Sequence, residues 1–390
     1  MGVDALLREP IVKKITGFLC AFLAVAAAAG AQSTTASPAN SPDQGVQAPP
    51  QPPTGRLIFG QPSREFSGGW VPLGPAPVDQ AGAGRRGYVL PTEGGITAAG
   101  TTQVSIHSVA ANNFYREENS EFLITQRYET HTLGLDVRRG FKPHGFPHFE
   151  IGGQVQLHES DTGILNGFIA GIENFWASAT GYEDSRNLLR HPGPLQPPQG
   201  TVITRNGSAL YRDSGDGSGI GDLYGVAKIA LVDPEPASRT PHVNFRIGVN
   251  LAGRTAFTQG NFVGAGVSID HKWLEGLAFH LDLRATRALD QKSVWNLGLR
   301  RMTYAFSAGP EFKLGKNNSV NLQLDGSSTP YFPTGTRAFD KSYGAITIGV
   351  GHRFGPVTAQ IYARENMNLP FNVRWNTDPD MSLGLKIRVH

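Results

Sequence analysis

The stretch from Pro241 to Thr286 constrains the chain more than any other. Val243, Phe245, Ile247, Val249 and Leu251 alternate with His242, Asn244, Arg246, Gly248 and Asn250, the two-residue period of a strand with one apolar and one polar face. The period returns in Val263, Ala265, Val267 and Ile269, and again in Leu277, Phe279, Leu281 and Leu283, with His280, Asp282 and Arg284 opposite. Sandwich strands also alternate, but they average about five or six residues, whereas these run to about ten, the length a tilted strand needs to cross a bilayer. The pattern predicts an all-β fold, a transmembrane antiparallel β-barrel.

The beginning of the chain predicts export. Lys13 and Lys14 precede an apolar run from Ile15 to Ala29, and Ala29-Gly30-Ala31 stands before Gln32, the architecture of a signal peptide over residues 1–31. The run is shorter than the roughly 18 to 20 apolar residues of a membrane helix. Cys20, the one cysteine, lies inside it, and a chain without further cysteine suits passage through an oxidising periplasm. Residues 32–55, rich in Pro, Ala, Ser and Gln, cannot bury enough apolar surface to fold and read as a disordered leader. Residues 56–100 carry Phe59, Phe66, Trp70 and Tyr88 among glycines and prolines. They read as an irregular extension against the barrel or as a plug entering it, and residues 101–390 as the barrel itself.

Composition fits this division. Glycine at 48 of 390 residues, 39% hydrophobic residues and a negative mean hydropathy suit a chain half facing water and half facing lipid. The formal charge of +3 falls by one with the signal peptide, which holds Arg8, Lys13 and Lys14 against Asp4 and Glu9. So small a charge makes no case for nucleic acid.

Strands are expected at Thr101–Ala110, Glu121–Arg139, His148–Glu159, Asp222–Val232, His242–Ala252, Asn261–His271, Leu277–Arg287, Met302–Leu314, Ser319–Gly326, Ser342–Phe354, Val357–Glu365 and Asp380–Val389. That makes about twelve, or fourteen if Glu121–Arg139 is a hairpin and the change of apolar phase near Arg300-Arg301 marks another. Connections on one side are short and those on the other include every long one, the outer-membrane rule of short periplasmic turns and long outer loops. In the longest, Ser160–Gly221, the residues Ile164, Leu165, Phe168, Ile169, Ile172, Phe175 and Trp176 recur at three- and four-residue steps behind Asp161, predicting one short capped helix. Its apolar stripe either packs on the barrel rim or forms a greasy entrance for an apolar solute.

GILNGFIAGIENFWASATGYEDSRN, followed by SGDGSGIGDLYGVAKIAL, resembles the central signature of a Gram-negative outer-membrane family, domain of unknown function 3187. There a Gly-aromatic-Ile helix with a trailing Arg precedes a Gly-x-Gly-Asp turn that starts a strand. The matching residues are Gly167, Phe168, Ile169, Arg186, Gly219, Gly221 and Asp222. The resemblance implies an outer-membrane barrel and no known activity. Ser382-x-Gly384-x-x-Ile387-x-Val389 is similar to a barrel-assembly signal, with Val389-His390 in place of the terminal aromatic.

Three patterns touch on chemistry. Asp213, Asp216 and Asp222 stand among glycines, but their spacing lacks the alternate-residue ligands and closing Glu of a calcium loop. The eleven histidines form no zinc motif, so neither metal nor cofactor is expected. His158-x-Ser160 resembles the His-x-Ser pair of outer-membrane acyl hydrolases, yet strand parity turns it inward, away from lipid. What remains is the lumen. Parity assigns to it Glu150, Gln154, Gln156, His158, Lys228, Asn244, Arg246, Asp282, Arg284 and Arg353, with Asp136, Arg138, Asn321, Gln323, Arg364, Lys386 and Arg388. The expected function is a narrow pore or transporter for small solutes. A closed structural or surface-binding barrel comes second and a hydrolase third. Outer-membrane lipid, the barrel-assembly machinery and a small solute are the expected partners.

Overall fold

In a computed structural model the chain is described at residues 95–161, 199–215, 217–234, 240–253, 258, 260–293, 295–366 and 381–389. The signal peptide, the leader, most of the 56–100 segment, and the predicted helix with Gly167, Phe168, Ile169 and Arg186 lie outside these residues.

Fourteen strands form one antiparallel sheet. They are β1 (Thr102–Glu118), β2 (Phe122–Phe141), β3 (Phe149–Asp161), β4 (Gly200–Arg205), β5 (Ser208–Asp213), β6 (Gly217–Val232) and β7 (His242–Leu251), then β8 (Phe262–Leu274), β9 (Leu277–Ala288), β10 (Met302–Leu314), β11 (Asn318–Ser327), β12 (Tyr343–Phe354), β13 (Val357–Asn366) and β14 (Met381–Val389). A four-residue helix, α1 (Arg337–Asp340), lies between β11 and β12. Because β1 pairs with β14 as well as β2, the sheet closes on itself. The ring holds twelve strands, and β4 and β5 form a hairpin beside it. Each of the twelve predicted segments coincides with one ring strand. The predicted segment Glu121–Arg139 is the single strand β2 rather than a hairpin, and the phase change near Arg300 is a connection closed by isolated bridges at Lys292–Gly298 and Leu299–Tyr331.

Solvent exposure is inverted relative to a water-soluble protein. Ile247 is 54% exposed and its neighbour Arg246 only 1%, and the same contrast separates Leu283 from Asp282 and Ile151 from Glu150. Apolar side chains facing outward around a ring whose polar side chains face inward are the arrangement for a lipid surround. Closure follows from the same surround, since lipid offers no partner to an open sheet edge.

The hairpin β4–β5 is absent from the sequence-based prediction. Its turn, Arg205-Asn206-Gly207-Ser208, has positive φ at both central residues, 49° at Asn206 and 76° at Gly207, the type I′ geometry that Asn-Gly favours between two strands. That dipeptide, flanked by TVITR and SALYRD, was the available signal. The hairpin extends the wall: β3 pairs with β2 from Phe141 to Glu129, and β4 takes over from Arg127 to Phe122. Above Asn112, β1 has left β14 and pairs with β2 alone. Asn112 and Asn113, both fully buried, interrupt the apolar alternation there, which is why the predicted strand stops at Ala110.

Register shifts occur between β6 and β7 at Ala230/Val232 and between β8 and β9 at Lys272/Leu274, and two further irregularities lie nearer mid-wall. Between β3 and β6 a bulge sets Gly221 and Asp222 opposite Gln156, so that two consecutive residues are buried between exposed Ile220 and Leu223. Between β10 and β11 the ladder skips Gly309 and Pro310, resuming at Ala308–Leu324 on one side and Glu311–Asn321 on the other. Pro310 has no N–H to give, and a Cβ on Gly309 would stand 1.8 Å from the Leu322 carbonyl oxygen.

Two outcomes test this architecture. Ser208→Cys, at the tip of the β4–β5 hairpin, should be labelled on intact cells by an impermeant thiol reagent, whereas Lys316→Cys, in the β10–β11 turn, should be labelled only after lysis; the reverse pattern inverts the barrel. Leu283→Arg, facing lipid, should cost about 2 to 4 kcal/mol and weaken the heat-resistant folded band on a gel, while Thr286→Ala, facing inward on the same strand, should leave it intact.

Candidate functional site

The interior is layered from one end to the other. At the outer end an apolar cluster spans the mouth, built from Phe122 and Ile124 of β2, Ile203 of β4, Tyr224 of β6 and Phe262 of β8 on one side. Trp295, Leu297 and Leu299 of the β9–β10 connection and Tyr331 and Phe339 of the β11–β12 connection complete it from the other. The Phe339 ring lies 5.8 Å from that of Trp295 and 5.0 Å from that of Tyr331. Both connections fold inward rather than out into solvent, because their large apolar side chains have no other surface to bury against. The Ser293 hydroxyl, accepting from the Trp295 and Leu297 N–H groups, fixes the turn that aims them.

Below this cap the lining is polar. Asp222, carried inward by the bulge, accepts from Asn250 Nδ2 at 3.0 Å. Asp325 accepts from Gln323 Nε2 at 2.8 Å and from the Ser307 hydroxyl, and lies 3.7 Å from Arg364, whose guanidinium stands 5.3 Å from the Tyr343 ring. One oxygen of Asp282 holds two guanidiniums, Arg246 at 2.9 Å and Arg284 at 3.0 Å, and Arg284 also donates to Ser307 at 2.6 Å. The two ring nitrogens of His280 face Asp270 at 2.6 Å and Glu311 at 3.0 Å.

Toward the end with the short turns Arg138 grips Asp136 with two hydrogen bonds of 2.7 and 2.6 Å and reaches Glu150 at 3.4 Å. Lys228 lies 3.4 Å from the same Glu150 oxygen. This group also holds the chain that leads into β1. The Thr97 N–H donates to Glu150 at 2.6 Å, Lys228 donates to the Gly95 carbonyl at 3.0 Å, and His148 donates to the Thr97 carbonyl at 2.8 Å. Gly95 to Thr97 therefore lie against the inner wall, and the rest of the 56–94 stretch is outside the described residues.

The sequence-predicted residues fall as follows. Glu150, Gln154, Gln156, His158, Lys228, Asn244, Arg246, Asp282 and Arg284 are buried on the inner face, and Arg353 is half-buried near the periplasmic end of β12. Glu150 with Lys228, and Asp282 with Arg246 and Arg284, are brought together. Gln154 pairs in register with Asp136 and lies 3.5 Å from His107. His158 lies 2.8 Å from the Thr132 hydroxyl and fills the space that a side chain at Gly221 would need, since a Cβ there would come within 2.1 Å of its ring. Ser160 donates to the Gly217 carbonyl. Both members of the His-x-Ser pair thus sit inside the wall, on the side away from lipid. Sequence reasoning missed Asp270, Glu311 and Asp325 as lumen groups, although each occupies an inward position by parity, and read His280 only as a polar-face residue of its strand. It also missed the apolar cap: Trp295, Leu297 and Leu299 alternate as a strand would, and Tyr331 and Phe339 follow no period. Among the described residues no cluster of His, Cys, Asp and Glu is arranged to hold a metal ion.

Comparison with known proteins adds the fold's setting. No family model and no curated protein matches the chain. Among solved structures it is similar to the COG4313 outer membrane channel from Pseudomonas putida F1, with a TM-score of 0.51 and 11% identity over 77% of this chain and 99% of that one. The fold is the outer-membrane β-barrel. The KdgM porin aligns at a TM-score of 0.36 and 6% identity, and the NanC porin at 0.39 and 8%, each over 74% of this chain and 99% of the other.

The shared carboxylate gives a stability prediction. Asp282→Leu takes the carboxylate from two buried guanidiniums, leaving Arg246 without its ion-pair partner, and should cost about 3 to 5 kcal/mol, whereas Arg246→Leu leaves Asp282 paired with Arg284 and should cost clearly less. Unfolding of the purified barrel in urea measures both, and equal costs would mean that Arg284 alone does not hold the carboxylate.

Proposed function

We propose that the chain is a channel or transporter for small water-soluble solutes in the outer membrane of a Gram-negative bacterium, closed at its outer mouth by the apolar cap in this conformation. The observation that carries this reading is the polar column beneath the cap. It contains buried atoms, among them Gln156 Nε2, Asn321 Nδ2 and Gln360 Oε1, that meet no hydrogen-bond partner among the described residues. Polar groups in such a position keep company with water. A barrel that served only as a wall would gain stability from apolar side chains in their place. The cap then acts as a hydrophobic constriction over a wet interior, a form of gate that works by excluding water from a narrow apolar ring.

Export through a signal peptide, insertion by the barrel-assembly machinery and a surround of outer-membrane lipid belong to the same proposal. So does membership of the family of domain of unknown function 3187, supported by the role of Gly219-x-Gly221-Asp222 at the β6 bulge. There the bare Gly221 admits the His158 ring, and Asp222 turns inward beside it. A second reading, a closed structural or surface-binding barrel, is favoured by the cap and by the ion pairs that neutralise much of the interior charge.

Conductance separates the two. Phe339→Ala removes the ring that touches both Trp295 and Tyr331, a loss of about 3 to 5 kcal/mol to the cap. In planar bilayers the wild-type protein should show brief, small conductance steps, and Phe339→Ala should raise the open fraction by about tenfold or more. Silence from both, with the folded band intact on a gel, would leave the closed barrel.

A further inference from the structure

Arg246 lies across β8 rather than pointing straight into the lumen. It pairs in register with Gly266, and a Cβ at that glycine would stand 3.0 Å from Arg246 Nε, so the bare position is what lets the guanidinium reach Asp282 on β9. Asp282 is shared with Arg284 through the same oxygen, which leaves two guanidiniums to one carboxylate. Lys228, opposite Arg246 on β6, adds a further cation whose own partner is Glu150. On the other side Asp270 is engaged by His280 through Oδ1 alone, and its Oδ2 meets no hydrogen-bond partner among the described residues.

Donors around Arg246 outnumber acceptors. Arg246 Nε and Nη1, both polar atoms of the Asn244 amide and the Ser268 hydroxyl meet no hydrogen-bond partner among the described residues. Exposure of these three side chains is only 1%, 1% and 2%. They are neighbours: Asn244 and Ser268 pair directly across β7 and β8, and Arg246 follows Asn244 on the same face. Just above, Gly248 and Gly264 pair on the inner face and are half-buried, so neither position carries a side chain over the group. Buried donors without acceptors are costly, and costlier when charged. One anionic ligand of small size would satisfy them and balance the extra guanidinium at once.

We propose that the β7–β8 wall is a binding site for the carboxylate of a small solute, with Arg246, Asn244 and Ser268 as its ligands. This rests on the reading of the barrel as a solute path, and it names the class of solute: organic monoanions. Asn244 contributes its Nδ2 to the anion, and its Oδ1 is free to accept from a hydroxyl on the body of the solute. The glycine recess above leaves room for that body.

The test uses the purified full chain in detergent, with sodium acetate as the probe and its methyl NMR signal as the readout. Inorganic phosphate and methylammonium chloride serve as the second anion and as the cation. Acetate should broaden saturably. Arg246→Gln should weaken binding by about tenfold or more and Asn244→Ala by roughly fivefold, and Asn244→Ala, which touches no ion pair, keeps the test valid if Arg246→Gln fails to fold. Phosphate binding more tightly than acetate would replace the carboxylate with a phosphorylated solute and overturn the assignment. Saturable methylammonium without acetate, no saturable probe at all, or acetate binding unchanged in both variants would each overturn it too. Conductance measured on the same preparations keeps the two proposals apart. A silent barrel that binds acetate through Arg246 overturns the pore and leaves the site, and a conducting barrel that ignores acetate does the reverse.

Discussion

Every feature of this barrel depends on one requirement, that no backbone N–H or C=O be left without a partner where lipid surrounds the chain. A helix meets it locally, but a strand meets it only through neighbours on both sides, so the sheet has to close, and here β1 completes the ring with β14. Closure fixes the rest. With one face of each strand given to lipid, the alternate residues are forced inward whatever their chemistry, and a ring of twelve strands gathers their charges into a narrow column. The ion pairs around Asp282, Asp325 and Glu150 follow from that confinement, because cations brought together at low exposure are tolerable only beside anions.

The architecture was legible in the sequence to the extent that it was periodic. The stretch from Val243 to Leu283 announces its strands, their length and their two faces, and parity alone puts Arg246 and Asp282 on the inside. It does not reveal that they touch. Arg246 sits on β7 and Asp282 on β9, and their contact depends on the absence of a side chain at Gly266 between them, a fact about registers and rotamers rather than about pattern. The hairpin β4–β5 was legible through Asn206-Gly207 but lay in a loop dominated by a helical signal. The cap was not legible, because Trp295, Leu297 and Leu299 alternate as a strand would, Tyr331 and Phe339 follow no period, and an aromatic residue in an outer loop reads the same whether the loop stands up or folds down.

Polarity changes along the barrel axis. The wall supplies hydrogen-bonding groups at most inward positions, whereas the apolar layer at the outer end is built jointly by strand residues such as Phe122, Ile203 and Phe262 and by the loops that carry Trp295, Tyr331 and Phe339. The bulge at Gly221-Asp222 lies near the boundary, placing a carboxylate next to Tyr224 and Asn250 just where the lining changes from polar to aromatic. The chain entering β1 is held from the opposite end, by Glu150, Lys228 and His148, so the two mouths are furnished by different means: side chains of folded-in loops outside, main chain gripped by wall residues inside.

Pro310 and Gly309 give the wall a seam. In a closed ring each strand pair carries the same hoop tension, so fluctuations that widen the circumference concentrate where the fewest bonds resist them. The β10–β11 boundary, missing rungs at mid-height while its ends stay laced, can stretch there without unzipping. A barrel so built has an expansion joint on the side where His280 and Glu311 face the column.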